Sequence, residues 1–252
     1  MAILVDQKTA VVIQGITGTE GARACREMLR FGTVVSAGVT PGKGGQVVEG
    51  VPVYDTVAEA LAQHPSINTS LIVVPAPAVK DAALEAMAHR IPLINILTEY
   101  VPAADSCVMV AQAKLAGSRI IGASSIGIFS PGKAKIGSIG GGEIQMAFSP
   151  GPVGVISKSG GMTAEISLAL TRAGIGQSTV VGIGGDMIAG TTYAELLPLY
   201  LCPADRARQP QRPRDTTAHA LALRFVPARR YVPLPQSWTY RLGRGLGCVH
   251  SR

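Results

Sequence analysis

Short apolar segments recur along the first 120 residues and alternate with segments of helical spacing. Gly, Pro and polar residues bound each run, and the runs are Ala10–Ile13, Thr33–Val39, Ser70–Val74, Pro92–Leu97 and Arg119–Ile121. Continuous apolar runs of this length are typical of strands buried on both faces of a parallel sheet. Their alternation with helices predicts a doubly wound, Rossmann-like α/β domain over residues 1–122.

The predicted helices carry recognisable boundary residues. Thr56 is a candidate N-cap with Glu59 three positions later, the capping-box spacing. Gly117 is placed to end the helix "ADSCVMVAQAKLAG". The helix after the first strand should bury one face, formed by Ala22, Cys25, Met28 and Leu29.

The rhythm changes after residue 122. Residues 123–152 are rich in Gly, Ser and Pro and are predicted to form a connector. Strand Val153–Ile156, a helix, strand Ser178–Val181 and a helix from about Thr192 follow, so residues 153–201 are predicted to open a second parallel α/β domain. The first of these helices has one apolar face, formed by Met162, Ile166, Ala169, Leu170 and Ala173.

Charge separates the end of the chain from the rest. The net charge of +7 arises entirely from residues 202–252, which hold ten arginines, six prolines and two acids, whereas residues 1–201 hold 13 basic and 14 acidic residues. Ordering such a segment costs roughly 1–2 kcal/mol per residue, which its scattered apolar side chains cannot offset. We expect a disordered or out-of-frame tail; a nucleic-acid-binding arm is the disfavoured alternative.

Composition also limits the setting in which the chain works. An apolar fraction of 47% with 15% charged residues is typical of a folded protein, and no apolar run is long enough to span a bilayer. The start "MAILVDQK" lacks a secretory leader. The cysteines have neither paired nor ligand-like spacing, so we expect a cytoplasmic protein without a metal site or a membrane partner.

The most informative short motif is "QGITGTEGA", residues 14–22, in which Gly15, Gly18 and Gly21 lie between a strand and a helix. Backbone N–H groups at a helix N-terminus bind anions, and glycine lets the main chain approach a phosphate. The spacing is close to the dinucleotide fingerprint, but a tight turn without any ligand would read the same way.

Two further strand ends narrow the choice of ligand. After the second strand the chain carries Lys43 between glycines, where an NAD site would need a carboxylate. A lysine there favours a phosphate, which leaves NADP or coenzyme A (CoA). Thr98 and Glu99 follow the fourth run and could line the same crevice or cap a helix.

A second candidate anion loop, "SKSGG", opens the helix of the second domain. Ser157, Ser159, Gly160 and Gly161 supply hydroxyl and backbone N–H groups, and Lys158 adds positive charge. Each such contact is worth only about 0.3–1 kcal/mol when exposed, so several must converge to hold a phosphoryl group.

These residues give the chain a resemblance to the α subunit of succinyl-CoA synthetase and to the wider family of nucleoside-diphosphate-forming acyl-CoA ligases. The matching segments run in order from about residue 3 to 200 and are "VVIQGITGTEG", "AGVTPGKGG", "GVPVYDTVAEA", "VVPAPAVKDAALEA", "LINILTEYVP", "ISKSGGMTAE" and "VGIGGD". The resemblance implies a CoA-binding domain followed by a truncated, flavodoxin-like ligase domain.

The resemblance also implies roles for particular residues. CoA would contact Thr17, Gly18, Thr19, Glu20, Lys43, Leu97, Thr98 and Glu99. The "SKSGG" helix would face a phosphohistidine together with a helix of a separate β subunit, which also binds Mg²⁺ and ATP or GTP. In such ligases a histidine takes the phosphoryl group from the nucleotide and passes it to a carboxylic acid, and CoA then displaces it.

The chain departs from the family pattern at the catalytic residue. The family's "GHAGA"-like histidine motif and the "GEIGG"-like segment before it are absent, and His219 and His250 have unrelated neighbours. We therefore assign no catalytic residue and expect the isolated chain to be inactive. Ala164 stands where succinate enzymes tend to carry a tyrosine, and "KIGSIGGGEI" and "SKSGGM" resemble the ATP-citrate lyase and citryl-CoA synthetase branch. A citrate or malate ligase therefore remains open, as do a non-catalytic CoA-binding module and, last, an NADP-linked oxidoreductase.

Overall fold

The computed structural model describes residues 2–141 and 144–200 of the chain. The predicted tail at residues 202–252, with His219 and His250, lies outside the described residues, so its predicted disorder stays a prediction.

A seven-stranded sheet dominates the first half of the chain. Its strands are β1 Ala10–Gln14, β2 Val34–Val39, β3 Val47–Val48, β4 Val51–Tyr54, β5 Thr69–Ile72, β6 Leu93–Ile96 and β7 Arg119–Ile121. They lie in the order β3-β4-β2-β1-β5-β6-β7, and all neighbours are parallel except the β3–β4 hairpin. The chain thus moves from β1 to one edge and then returns past β1 to the other. This doubly wound order confirms the predicted fold class and puts a switch point between β1 and β5.

Helices cover both faces of this sheet. They are α1 Thr19–Phe31, α2 Val57–Gln63, α3 Val79–Ala88, which follows a short 3₁₀ turn at Ala76–Ala78, and α4 Ala103–Ala116. The predicted boundaries are confirmed: the Glu59 N–H donates to Thr56 Oγ1 at 3.2 Å, and Gly117 closes α4 in the left-handed conformation.

One predicted core position in α1 is wrong. Leu29 is 37% exposed, whereas the face that packs on the sheet runs through Gly21, Ala24, Cys25 and Met28. These four residues follow the spacing of a single helical stripe, and Leu29 lies beside that stripe.

The second half of the described chain forms a mixed four-stranded sheet with three helices. Its elements are β8 Gly127–Ser130, β9 Ala134–Ile136, α5 Ile144–Ala147, β10 Pro150–Ser157, α6 Gly160–Arg172, β11 Gln177–Gly182 and α7 Tyr193–Tyr200. The strand order is β10-β11-β8-β9, with β10 and β11 parallel and β8 antiparallel to both of its neighbours.

Residues 123–152, expected to be a connector, contain the β8–β9 hairpin, α5 and the start of β10. Strand β8 is defined by antiparallel pairing with β11, about fifty residues away in sequence, and β9 pairs in turn with β8, so neither has a strong local signal. In α6 the buried face also differs from the expectation. It includes Thr163, Ser167 and Leu170, while Met162 is 48% exposed.

The second sheet packs directly on the first. One apolar core joins Ile13, Leu93 and Ile121 of the first sheet to Ile128, Ile136 and Ile183 of the second half. On the opposite face, α2, α3 and α4 cover the first sheet through a separate core. The β8–β9 hairpin therefore packs on the same face of the first sheet as α1, and β9 contacts α1 directly.

Polar contacts reinforce this junction. Lys135 of β9 is 1% exposed, and its Nζ lies 2.8 Å from Glu27 Oε2 of α1. Thr33 Oγ1 donates to the Lys135 carbonyl and accepts its N–H, at 2.9 and 2.8 Å. Asn95 Nδ2 donates to Ser125 Oγ at 2.9 Å, and that hydroxyl donates to the Gly182 carbonyl. Within the described residues, no helix is long and apolar enough to cross a membrane.

Candidate functional site

The glycine loop of residues 15–21 leaves the carboxyl end of β1 at the switch point, where open α/β sheets bind their ligands. Gly15 adopts a φ of +90°, and its N–H donates to the Val39 carbonyl of the neighbouring strand at 2.8 Å. The Gly18 N–H turns back to the Gly15 carbonyl at 3.1 Å. Thr19 then begins α1, so the N–H groups of the first helical turn lie at this loop.

The three glycines of the loop have different reasons to be glycine. A Cβ on Gly21 would lie 2.2 Å from the Gly15 carbonyl oxygen, and a Cβ on Gly15 would lie 2.9 Å from the Val73 carbonyl oxygen. Gly18 has ordinary φ and ψ values, is exposed, and has its nearest contact at 3.4 Å. Internal packing therefore explains Gly15 and Gly21, whereas the missing side chain at Gly18 leaves space for an external ligand.

Lys43 is brought to this loop from the end of β2. Its Nζ lies 3.3 Å from Thr17 Oγ1, and the Thr17 and Thr40 hydroxyl oxygens are 3.2 Å apart. The sequence placed Thr17 and Lys43 in one site; Thr40 was not predicted. The signal for Thr40 was available, because Thr40 directly follows β2, the parallel neighbour of β1.

Glu20 is exposed and lies in the first turn of α1, where it forms an ion pair with Arg23. The pair offsets the negative charge that Glu20 would otherwise present to an anion at the helix N-terminus. Arg23 was not predicted as a member of the site. The spacing of three residues on one helix was its only sequence signal.

The third predicted segment, at the end of β6, lies further along the sheet edge. β5 separates β6 from β1, which places the two strand ends about 10 Å apart. The Thr98 hydroxyl donates to the Val74 carbonyl at 2.7 Å, and Thr98 is half-buried, as is Leu97. Glu99 is exposed. Only an elongated ligand could contact both Lys43 and Leu97.

The second candidate loop, "SKSGG", joins β10 to α6. Ser159 is the N-cap of α6, and its Oγ accepts the Met162 N–H at 3.3 Å. The Ser157 hydroxyl donates to the Ser159 carbonyl and accepts the Ser159 N–H, both at 3.1 Å. Ser157 is buried, so its hydroxyl serves the turn itself, while Ser159 and Lys158 are exposed.

The two glycines of this loop differ in the space around them, as the glycines of the first loop do. A Cβ on Gly160 would lie 2.9 Å from Ile126 Cγ2, whereas a Cβ on Gly161 meets nothing within 4 Å. Gly161 therefore leaves open space at the N-terminus of α6, the position where an anion would approach. Tyr193 of α7 also lies here and was not predicted: burial raises the pKa of Tyr193, and a hydrogen bond from the Lys158 backbone partly offsets that rise.

The histidines in the described part of the chain do not form a catalytic group at these loops. His64 lies at the end of α2, with its Nε2 3.1 Å from the Tyr54 hydroxyl. His89 ends α3 and is exposed. Among the described residues, no three His, Cys, Asp or Glu side chains are grouped as a metal site.

The fold and the first loop define a class of protein, an α/β protein with a CoA-binding domain. The family model described as the CoA binding domain matches residues 6–100, which include β1, the glycine loop, Lys43 and the end of β6.

Comparison with whole proteins is more specific. The chain is 49% identical over 200 residues to succinate–CoA ligase [ADP-forming] subunit alpha 2 of Archaeoglobus fulgidus, covering 79% of this chain and 68% of that protein. It is 44% identical over 200 residues to subunit alpha 1 of the same organism, covering 79% and 67%. The chain belongs to the family of succinate–CoA ligase α subunits.

A solved structure has a similar fold. ATP citrate lyase from Methanothrix soehngenii, in complex with citrate and coenzyme A, matches with a TM-score of 0.71 and 26% identity. The match covers 79% of this chain and 35% of the lyase chain. The chain thus spans about two thirds of the length of its ligase relatives and about a third of the lyase.

Proposed function

We propose that this chain is the CoA-binding α component of a ligase that joins a carboxylic acid to CoA. The observation that carries the proposal is the exposed Gly18 at the start of α1, beside Thr17 and Lys43, within a segment that matches the CoA binding domain. Residues 1–122 form the CoA-binding unit in this proposal, and residues 153–201 form the beginning of the ligase unit.

Each predicted residue then has a defined task. The N–H groups after Gly18, with Thr19 and Glu20 in the first turn, face the phosphates of CoA, and Lys43 supplies the positive charge. The thiol arm extends along the sheet edge towards Leu97, Thr98 and Glu99. Bound CoA supplies the thiol that becomes the acyl carrier.

The α6 loop serves the phosphoryl group. Gly160 and Gly161 present backbone N–H groups at the helix N-terminus, the Ser159 hydroxyl still has its proton to donate, and Lys158 adds charge. In a complete enzyme of this family, a β subunit would bind Mg²⁺ and ATP or GTP; without the histidine motif, this chain would supply the CoA site but not the phosphoryl relay. The ligase relatives are named as α subunits, which supports a second kind of subunit as partner.

The names of relatives guide the choice of acid substrate. The two ligase relatives described above are named for succinate, and the structural relative was solved with citrate. Both are small di- or tricarboxylates, and we propose an acid of that class. A non-catalytic CoA-binding module is the second candidate, and the lack of a "GHAGA"-like motif anywhere in the sequence favours it.

Calorimetric titration of the whole chain tests CoA binding. We expect CoA to bind more tightly than dephospho-CoA, and Lys43→Ala to weaken CoA binding about five- to tenfold through loss of a charged phosphate contact. Lys8→Ala is the matched control and should leave affinity unchanged, because Lys8 is exposed and precedes β1, at the amino ends of the strands and away from the glycine loop. Equal affinities for the two ligands, or tighter binding of NADP, would contradict the proposal.

A labelling experiment tests the ligase step separately. The chain is mixed with the β subunit of a relative, CoA, succinate or citrate, and radiolabelled ATP. We expect no acid-labile phosphate on this chain and no thioester product, because the histidine motif is missing. A labelled histidine in the tail would show that this chain carries the relay after all.

A further inference from the structure

The loop that carries Lys43 is rich in glycine. Residues 40–46 read "TPGKGGQ", and Gly42 and Gly45 adopt φ values of +76° and +85°. The Lys43 N–H donates to the Thr40 carbonyl at 3.0 Å, and the Gly45 N–H donates to the Val53 carbonyl at 2.9 Å. A segment with three glycines in seven residues loses much conformational entropy when it is ordered, so each anchor of this loop matters.

A side chain supplies one of these anchors. Asp55 follows β4, and its Oδ1 accepts the Gly44 N–H at 2.8 Å. A Cβ on Gly44 would lie 2.7 Å from Asp55 Oδ2, so glycine at residue 44 lets the carboxylate lie in this position and a larger residue would move it. Asp55 is itself held in place, because its N–H donates to Glu59 Oε2 of α2 at 3.1 Å.

The Asp55 anchor lies one residue from Lys43. Lys43 follows β2, and its Nζ lies beside Thr17 Oγ1 in the loop after β1. The direction of the Lys43 side chain therefore depends on the backbone conformation at Lys43 and Gly44. A carboxylate that faced a phosphate directly would repel it. Here Asp55 Oδ1 accepts the Gly44 N–H in a charge-assisted hydrogen bond, which is stronger than a neutral one.

We propose that Asp55 is a positioning residue, which holds the Gly44 backbone so that Lys43 meets the ribose phosphate that distinguishes CoA from dephospho-CoA. The inference rests on the proposed CoA site. It makes Asp55 a determinant of selectivity for the phosphorylated ligand although Asp55 itself does not contact that ligand.

The test is a double-mutant cycle on the whole chain, with calorimetric titration of CoA and of dephospho-CoA. Asp55→Ala should weaken CoA binding about three- to tenfold, the effect of losing one hydrogen bond, and change dephospho-CoA binding less than about twofold. Asp55→Asn keeps an oxygen acceptor and should restore most of the CoA affinity. In the Lys43→Ala background, Asp55→Ala should add less than about twofold, because its effect acts through Lys43.

Gly44→Ala provides a second variant, which keeps the aspartate at residue 55. Its Cβ displaces the carboxylate, so it should reproduce the loss of selectivity. Equal loss of affinity for both ligands, or an undiminished Asp55→Ala effect in the Lys43→Ala background, would overturn the positioning role while leaving the CoA site intact. If the unmodified chain does not bind CoA, the proposed function fails first and the inference fails with it.

Discussion

The three glycines of the first loop have different environments in the structure. In sequence, Gly15, Gly18 and Gly21 are equivalent members of one spaced motif. In the structure, Gly21 is pressed against the Gly15 carbonyl and Gly15 has a positive φ, whereas Gly18 is exposed with ordinary backbone angles. The motif therefore combines two structural glycines with one that borders the candidate ligand site.

Substitutions at Gly18 and Gly21 should separate these roles. Gly18→Ala should fold with nearly unchanged stability and bind CoA about tenfold more weakly, because its Cβ enters the space for the phosphates. Gly21→Ala should lower the free energy of unfolding by about 1–3 kcal/mol through overpacking. Urea denaturation and calorimetry measure the two effects. The reverse pattern, with Gly18→Ala unstable and Gly21→Ala harmless, would refute this assignment.

Two cysteines of the described residues, Cys25 and Cys107, differ in burial. Cys25 is buried against the first sheet, and burial is the main cause that raises its pKa to about 11, with the negative charge of Glu49 adding to it. Cys107 is exposed on α4.

Alkylation should distinguish these thiols. At pH 8 only about one Cys25 thiol in a thousand is ionised, so iodoacetamide should label Cys107 and spare Cys25 in the folded chain. Labelling of Cys25 should rise steeply as pH rises towards 11, since the thiolate is the reactive form. Peptide mapping by mass spectrometry measures both sites, and unfolding in urea is the control that should equalise them. Rapid labelling of Cys25 at pH 8 without denaturant would contradict its burial.

At the scale of elements, α1 and α6 begin in the same way after a parallel strand but are capped differently. Gly18 gives α1 no side-chain cap, whereas Ser159 caps α6 through Met162. An uncapped helix start leaves its N–H groups available to a ligand, and a serine cap satisfies one of them internally. α1 therefore offers the more open anion site of the two.

The cap of α6 can be tested by stability. Ser159→Ala should lower the free energy of unfolding by about 1 kcal/mol, and Ser159→Gly by only a few tenths, as N-cap positions generally behave. Thermal or urea unfolding measures the difference. An equal loss for both variants would mean that the hydroxyl acts elsewhere than in the cap.

At the scale of the whole molecule, the two halves form one packed structure. A single apolar core crosses the junction, and Lys135 with Glu27 forms an ion pair within it, with exposed side-chain fractions of 1% and 13%. Because the same lysine also donates to the Gly141 carbonyl at 3.1 Å, α1, β9 and the loop after β9 share one anchor. Burial lowers the pKa of Lys135, and the Glu27 carboxylate opposes that change.

Breaking this pair should destabilise the molecule more than removing it. Lys135→Met leaves the Glu27 carboxylate partly buried without its partner and should cost about 3 kcal/mol, whereas Lys135→Met with Glu27→Leu should recover most of the loss. Arg26→Ala, which breaks the exposed pair with Glu49, is the matched control and should cost less than about 1 kcal/mol. A double variant that is less stable than Lys135→Met alone would contradict this account.

Much of the first domain could be predicted from the sequence because its signals are local. Four of the five predicted strands overlap β1, β2, β5 and β6 with shifts of one or two residues, and β7 matches at both ends. The Thr56 cap was also found, since cap and partner are three residues apart. The β8–β9 hairpin was missed because β8 is specified by pairing with β11, and β9 by contacts with α1 and Thr33, not by a local pattern.

The candidate site also has features with a local sequence signal and features without one. Periodicity, glycines and basic residues after strands are readable in the chain, so the α/β class, both glycine loops and the place of Lys43 were determined by the sequence itself. The tertiary structure alone decided three features of the site. Gly18 is the exposed glycine of the loop, the Thr98 hydroxyl donates to the Val74 carbonyl, and Asp55 holds Gly44. The physical reason is that these features depend on contacts between segments, whose directions no local spacing encodes.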